Sequence, residues 1–325
     1  MWCRKGYRAL RKTAKKSRIL RGIYHTFYRP QGLKTINKAQ IDAAIRAGQL
    51  KGMVSPRVGQ ERVIVSLTSF PARLEEVHYT LYSLLNQDLP LTAIKLWLIE
   101  EEYDHPQSAD SLPTSLREMQ QYGVEICWVR GRIRSYAKLL PTLAAEPEAV
   151  IITADDDVYY PPDWASRLYR EHLAHPQDII AHRAHWVSYG TDGQMADYNA
   201  WPHCIAGGSC RYANFLTGVG GVLYPPHSLH PDVMKRELYQ TLAPKADDIW
   251  FWAMAVRNHW KIRVPEDAEQ DLVYDSQEMQ EGENRLSLDN TERGANDVQM
   301  RAVLDAYPEI EEILKQEHAC HVLTQ

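Results

Sequence analysis

Between Arg62 and Asp157 short apolar runs alternate with stretches of helical periodicity, and this alternation narrows the possible folds more than any other feature. The runs are Val63-Ile64-Val65-Ser66-Leu67, Ile94–Ile99, Val124–Val129 and Val150-Ile151-Ile152-Thr153. Between them, helices are expected over Leu74–Asn86, with Val77, Leu81, Leu84 and Leu85 on one face, over Leu112–Tyr122, and over Tyr136–Ala145 with a break at Pro141. Runs that are apolar throughout, rather than at every second position, suit strands buried on both faces. Strand and helix in turn imply an α/β fold, a Rossmann-like, mostly parallel sheet with helices on both faces.

The second half is less regular. Helices are expected over Asp163–Ala174, Asp248–Asn258, Ala295–Ala306 and Glu309–His318, and strands over Asp178–Ala181, Gly221–Tyr224 and Lys261–Val264. Residues 186–216 are rich in Gly, aromatic and polar residues and show no clear period. The expected divisions are a basic arm (1–29), a linker with one short helix near Ile36–Ala47 (30–61), a first half (62–157), a second half (158–300) and C-terminal helices (301–325).

With 325 residues, 44% hydrophobic and 24% charged, the chain can bury a core without disulfides or structural metals. No apolar run reaches the length of a membrane span. Residues 1–29 hold ten Lys and Arg and no acid; the total of 37 less these ten leaves 27 against 42 acids in the body. An acidic body of this kind does not carry the footprint of a nucleic-acid binder. The arm reads either as an interfacial helix on anionic lipid or as a solvated tail. Five scattered cysteines and a start without an apolar h-region favour a reducing, cytoplasmic setting.

Chemistry concentrates where the fourth strand ends, in Asp155-Asp156-Asp157. Open α/β sheets bind ligands beyond the carboxyl ends of their strands. In extended chain Asp155 and Asp157 point the same way, and paired carboxylates suit a hard cation such as Mn²⁺ or Mg²⁺. Asp247-Asp248 precede a strongly apolar helix, where an acid either caps the free N–H groups or serves as a general base. Thr217-Gly218-Val219-Gly220-Gly221 lacks a nucleotide-loop spacing and suits close backbone approach. Arg130, Arg132, Arg134 and Lys138 offer cations ahead of the acids. His182, His185, His203, Cys204 and Cys210 do not match a zinc spacing.

Taken in order, Val65-Ser66-Leu67-Thr68-Ser69-Phe70-Pro71, Ser135-Tyr136-Ala137-Lys138-Leu139, Asp155-Asp156-Asp157, Gly220-Gly221-Val222-Leu223-Tyr224-Pro225 and Asp247-Asp248-Ile249-Trp250 resemble the motifs of bacterial GT-A-fold glycosyltransferases. The likeness is to the family 2-like enzymes of surface polysaccharide synthesis, and it covers about residues 62–300. It implies a metal-dependent, inverting, hexosyltransferase-type enzyme taking a nucleotide sugar, by expectation a UDP-sugar, to a hydroxyl of a glycan or glycolipid. By position it makes Asp155 and Asp157 metal ligands. Thr68, Ser69, Arg73, Lys138, Asp155 and Asp156 become donor-binding residues. Asp248, with Asp247 beside it where the family has Glu, becomes the catalytic acid pair. Gly220, Gly221, Trp186, Trp201 and Trp250 fall on the acceptor side, with Tyr189 and Tyr198 as further aromatic platforms. His227, His230 and Asp297 are candidates for a further metal ligand. The arm would hold the protein on the inner face of the cell membrane. Two alternatives are a sugar-nucleotidyltransferase, which would normally show a Gly-rich first loop, and a non-catalytic carbohydrate-binding protein on the same fold.

Overall fold

A computed structural model describes residues 34–52, 61–108, 111–268, 272–275 and 294–322. The chain divides into two compact units, Met1–Thr35 and Ile36–Gln325. Of the first, Lys34–Thr35 are described and are extended; the basic arm 1–29 lies outside the described residues. All that follows concerns the second unit.

The apolar runs become β1 (Val63–Thr68), β2 (Ala93–Ile99), β3 (Val124–Val129) and β4 (Val150–Thr153), all parallel. Beyond them come β5 (Val158–Tyr159), β6 (Asp178–Ala181), β7 (Ala184–Trp186), β8 (Ser209–Arg211), β9 (Asn214–Leu216), β10 (Val222–Tyr224), β11 (Lys261–Val264) and β12 (Val273–Tyr274). Eight of these form one sheet in the order β3-β2-β1-β4-β10-β6-β11-β8. β10 runs antiparallel to both its neighbours, and β8 runs antiparallel to β11. The fold is therefore mixed α/β with a large, mostly parallel central sheet. β7 pairs with β9 and β5 with β12, both antiparallel.

Period-two side-chain alternation sends Val63, Val65 and Leu67 of β1 and Ile152 of β4 to one face, and Ile64 and Ile151 to the other. The first face is covered by α2 (Val77–Leu85), α3 (Thr114–Met119) and α5 (Trp164–Ala174). The second is covered by α4 (Leu140–Ala145), α7 (Asp247–Arg257), α8 (Ala295–Ala306) and the first turns of α9 (Pro308–Val322). α1 (Lys38–Arg46) precedes the sheet, and α6 (Arg236–Leu242) leads into α7. Every residue of α7 from Ile249 to Val256 is buried, the behaviour of a helix apolar all round.

Two local expectations need correction. The helix over Tyr136–Ala145 is two pieces, a 3₁₀ segment Arg134–Lys138 and α4, with Pro141 in the first turn of α4. Proline is tolerated there because its missing N–H would have had no partner. Residues 186–216, which show no clear period in sequence, hold β8 and β9, short strands satisfied by nonlocal pairing. The single helix over Leu112–Tyr122 is α3 followed by a 3₁₀ turn that stops at Gly123 in the left-handed region, φ 100°. No helix among the described residues is long and apolar enough to cross a membrane.

Candidate active site

β1 and β4 end side by side, so the loop after Thr68 faces the acids after Thr153. Ser69 Oγ donates to Asp156 Oδ2 (2.6 Å). Arg73, in the 3₁₀ turn Pro71–Arg73, donates to Asp156 Oδ1 (2.6 Å) and pairs with Asp157 Oδ2 (2.8 Å). Burial alone would weaken the Arg73 charge; Asp156 and Asp157 more than offset this and hold it firmly protonated. Thr68 turns away, its hydroxyl donating to the Trp97 carbonyl (2.9 Å), so the loop meets the acids through Ser69 and Arg73.

Lys138 forms the second half. Its Nζ donates to Asp155 Oδ1 (2.7 Å) and lies 3.3 Å from Asp247 Oδ2, an ion pair without hydrogen-bond geometry. Burial pulls its pKa down, and the charges of Asp155, Asp247 and Asp248 reverse that and raise it well above the usual lysine value. One ammonium thus links the end of β4 to the start of α7.

Of the two acids Asp247 comes first and is the better placed to cap α7. It does not: the N-cap is Ala246, and no side chain caps the helix. Asp247 Oδ1 instead accepts from Ser135 Oγ (2.7 Å), because Ser135 and Lys138, from one 3₁₀ segment, draw the carboxylate sideways. Asp248 lies in the first turn and accepts from the Gly218 N–H (3.0 Å). Burial, then the neighbouring Asp247, push its carboxyl up to about 7; Lys138 and the Gly218 N–H act in the opposite sense and Asp155 adds to the rise. Part of its surface stays accessible. A carboxyl balanced near neutrality and held by one backbone donor is suited to accept a proton.

The glycine segment forms one wall. A Cβ on Gly218 would stand 3.0 Å from both Asp248 Oδ1 and Lys138 Nζ, close enough that these side-chain tips would have to shift. Tyr160 braces this wall against β4: its hydroxyl accepts from the Asp155 N–H (2.9 Å) and donates to the Val219 carbonyl (3.3 Å). Gly220 and Gly221 are corrected as acceptor contacts. Both are buried, the Gly220 carbonyl accepts from Trp164 Nε1 (2.8 Å), and Gly221 (φ 95°) is pressed against the Trp164 ring.

Two of the aromatic candidates are also corrected. Trp250 is 0% exposed and donates to the Val233 carbonyl; Trp201 is 4% exposed and donates to the Ala196 carbonyl. Rings with no open face pack the core and cannot stack on a sugar. Trp186 and Tyr189 are partly exposed and line a small groove with Arg211, Glu317 and His318, with the Arg211 guanidinium over the Trp186 ring. Tyr198 is buried beside Trp201. The three candidates for a further metal ligand have other partners: His227 meets Glu148, His230 meets Arg257 and Asp232, and Asp297 accepts from the Tyr198 N–H.

The donor chemistry here fits a hard divalent cation, since Asp155, Asp156 and Asp157, which follow β4, all carry carboxylates. Among the described residues no three His, Cys, Asp or Glu side chains form a ready metal cage. Buried oxygens nearby lack a hydrogen-bond partner, Asp275 Oδ1 and Glu76 Oε2 among them. Burial, then Asp157, push the Asp275 carboxyl up to about 7. Sequence reasoning missed Asp275, because its neighbours are reached only through strand pairing, and it missed Tyr160, an aromatic with no motif around it.

No family model matches the chain, and no curated protein matches it. Among solved structures it is similar to the mannosyltransferase PcManGT from Pyrobaculum calidifontis, in complex with GDP-Man and Mn²⁺, with 15% identity, 87% of each chain covered and a TM-score of 0.36. It is similar to residues 1–349 of TarS from S. aureus, with 14% identity over 66% of this chain and 59% of that one, TM-score 0.40. A third likeness is to a 4-diphosphocytidyl-2C-methyl-D-erythritol synthase, with 10% identity over 64% of this chain and 91% of that one, TM-score 0.38.

Proposed function

We propose that the protein is an inverting glycosyltransferase that moves a sugar from a nucleotide sugar, a UDP-sugar in the first instance, to a hydroxyl of a glycan or glycolipid. The observation that carries this reading is the meeting of Asp155–Asp157, Lys138 and Arg73 at the strand ends with Asp248, a carboxyl poised near neutrality, at the start of α7. Asp155 and Asp157 would hold Mn²⁺ or Mg²⁺, which when bound supplies positive charge to a leaving diphosphate.

In this mechanism Asp248 accepts the proton of the acceptor hydroxyl. The acceptor oxygen bonds to the anomeric carbon from the face opposite the nucleotide, and the bond from that carbon to the phosphate oxygen breaks. The nucleoside diphosphate departs with the electron pair. Gly218 N–H fixes one oxygen of Asp248 so that the other faces the substrate, and the start of α7 favours the ionised form. Arg73 and Lys138 supply cations to the diphosphate end. The acceptor pathway proposed is bacterial surface polysaccharide synthesis, with residues 1–29 drawing the protein to the anionic inner face of the membrane.

The test is release of nucleotide from a panel of nucleotide sugars with Mn²⁺ or Mg²⁺, alone and with glycan acceptors. A nucleotide sugar that is turned over only with cation, and slowed in D248N, supports the reading. No turnover of any donor by wild type counts against it.

A further inference from the structure

Arg183 lies between β6 and β7 and is half-buried. Its carbonyl accepts from the Thr217 N–H (3.1 Å), and the next residue, Gly218, donates its N–H to Asp248. Thr217 is extended, so a single residue links the backbone of Arg183 on one side to the carboxyl of Asp248 on the other. The stem of Arg183 packs on the glycine wall: a Cβ on Gly220 would stand 2.8 Å from the Arg183 Cβ. Its Nε donates to Cys204 Sγ (3.1 Å). Cys204 is itself set by a left-handed backbone (φ 50°) and by its N–H, which donates to His185 Nδ1 (3.1 Å). Stem and head of the side chain are thus both held in place by the protein.

Sulfur is a weak acceptor. Among the described residues no carboxylate pairs with Arg183, and its Nη groups have no partner. The other cations of the site differ: Arg73 is held by Asp156 and Asp157, and Lys138 by Asp155 and Asp247. Yet the Arg183 charge reaches the same acids. Burial pushes the Tyr274 hydroxyl up, Arg183 acts against this, and Asp157 and Asp155 add to the rise. Burial, then Asp248, push the Tyr198 hydroxyl up, and Arg183 again acts in the opposite sense. One guanidinium therefore acts on hydroxyls beside the strand-end acids and beside Asp248. A guanidinium is always charged, and leaving it partly buried without an anion is unfavourable. Its flat fork matches two oxygens of a carboxylate or a phosphate.

We propose that Arg183 binds a carboxylate or phosphate carried by the acceptor, near the hydroxyl that Asp248 deprotonates, so that the acceptor is an anionic glycan. The inference rests on Asp248 as the base in the reading above. The acceptor is favoured over the donor because Arg73 and Lys138 already serve the diphosphate end, whereas Arg183 borders the segment that holds Asp248. Asp155, Asp156, Asp157, Asp247 and Asp248 would by themselves repel an anionic acceptor, and a cation on the side of the base offsets that.

The experiment measures acceptor binding to the full chain, with UDP and Mn²⁺ present, by saturation-transfer difference NMR. The probes are matched pairs: methyl glucuronide against methyl glucoside, methyl galacturonide against methyl galactoside, and hexose phosphates against the free hexoses. At least one anionic member should bind wild type about tenfold or more tightly than its neutral partner, and the uronides and the phosphates tell a carboxylate from a phosphate. Arg183→Gln should remove that difference while UDP affinity and a cooperative thermal melt are retained. Arg183→Lys, which keeps the charge but not the fork, should keep part of it. Equal binding of anionic and neutral members by wild type overturns the proposal, as does binding of neither, or a preference that survives in R183Q. A fall in UDP affinity in R183Q that matches the fall in acceptor affinity also overturns it, by putting Arg183 at the donor. If R183Q loses the preference but no nucleotide sugar is ever turned over, the anion site stands and the transferase reading fails. If R183Q transfers sugar to neutral acceptors and binds the anionic probes as wild type does, this inference fails and the transferase reading stands.

Discussion

Replacing Lys138 by Met removes the one ammonium shared by Asp155 and Asp247 while keeping much of the side-chain volume. Lys138 is 8% exposed, with Asp155 Oδ1 at 2.7 Å and Asp247 Oδ2 at 3.3 Å. Breaking a buried ion pair by removing one partner typically destabilises by about 3–5 kcal/mol. The Asp155 side chain is 25% exposed and will be partly rehydrated, so a loss of about 2–4 kcal/mol is expected at neutral pH. Asp248 adds a pH dependence. Asp248 Oδ1 and Lys138 Nζ both lie 3.0 Å from one point, the Cβ position of Gly218, and are therefore no more than about 6 Å apart. At an effective dielectric of about 20 that separation gives roughly 2.8 kcal/mol. Screening at the accessible edge of Asp248 reduces this to about 1–2 kcal/mol. The attraction exists only while Asp248 is ionised, above its pKa of about 7, and Lys138 stays charged throughout this range. The deficit of K138M relative to wild type should thus be larger at pH 8.5 than at pH 5.5 by about 1–2 kcal/mol. Urea unfolding of both proteins at the two pH values measures it. A deficit below about 1 kcal/mol at neutral pH, or one equal at both pH values, would refute the electrostatic account of this cluster.

For the base, Asp248→Asn should lower transfer by about 10²–10⁴-fold with donor binding retained; in wild type kcat/KM should rise with pH through about 7 as Asp248 ionises, and a rate flat from pH 5.5 to 8.5 would remove Asp248 from that role. Asp247→Asn, which leaves a group able to accept from Ser135, should keep far more activity than D248N, and kinetics on the pair decides between the two acids. Gly221→Ala should destabilise by about 1–3 kcal/mol or more, since φ is 95° and a Cβ would stand 2.4 Å from the Trp164 ring; an unchanged thermal melt would contradict the described packing. Deleting residues 1–29, with their ten cations, should abolish salt-sensitive co-sedimentation with anionic vesicles and spare nucleotide release; vesicle binding that survives the deletion would locate the membrane contact elsewhere.

Elements whose signal is local were legible from the residues alone. β3, β4, β6 and β11 begin and end where the sequence pattern places them, and β4 does so because it is a short apolar stretch buried throughout. The end of β4 marked Asp155–Asp157 as a ligand edge for the same reason, and the apolar run after Asp248 marked α7. Tertiary structure decided whatever depends on partners distant in sequence. Whether Asp247 caps its helix depends on a serine and a lysine that approach from the segment before α4. Whether a tryptophan is a platform or core depends on what covers it: Trp250 and Trp186 look alike as residues, but one is sealed inside and the other edges a groove. That β10 runs against its neighbours, and that Asp275 stands across from Asp157, follow from nonlocal strand pairing. Apolar periodicity reports only which face of an element is buried; the charges that meet at the site are brought together by chain crossings, for which it carries no information.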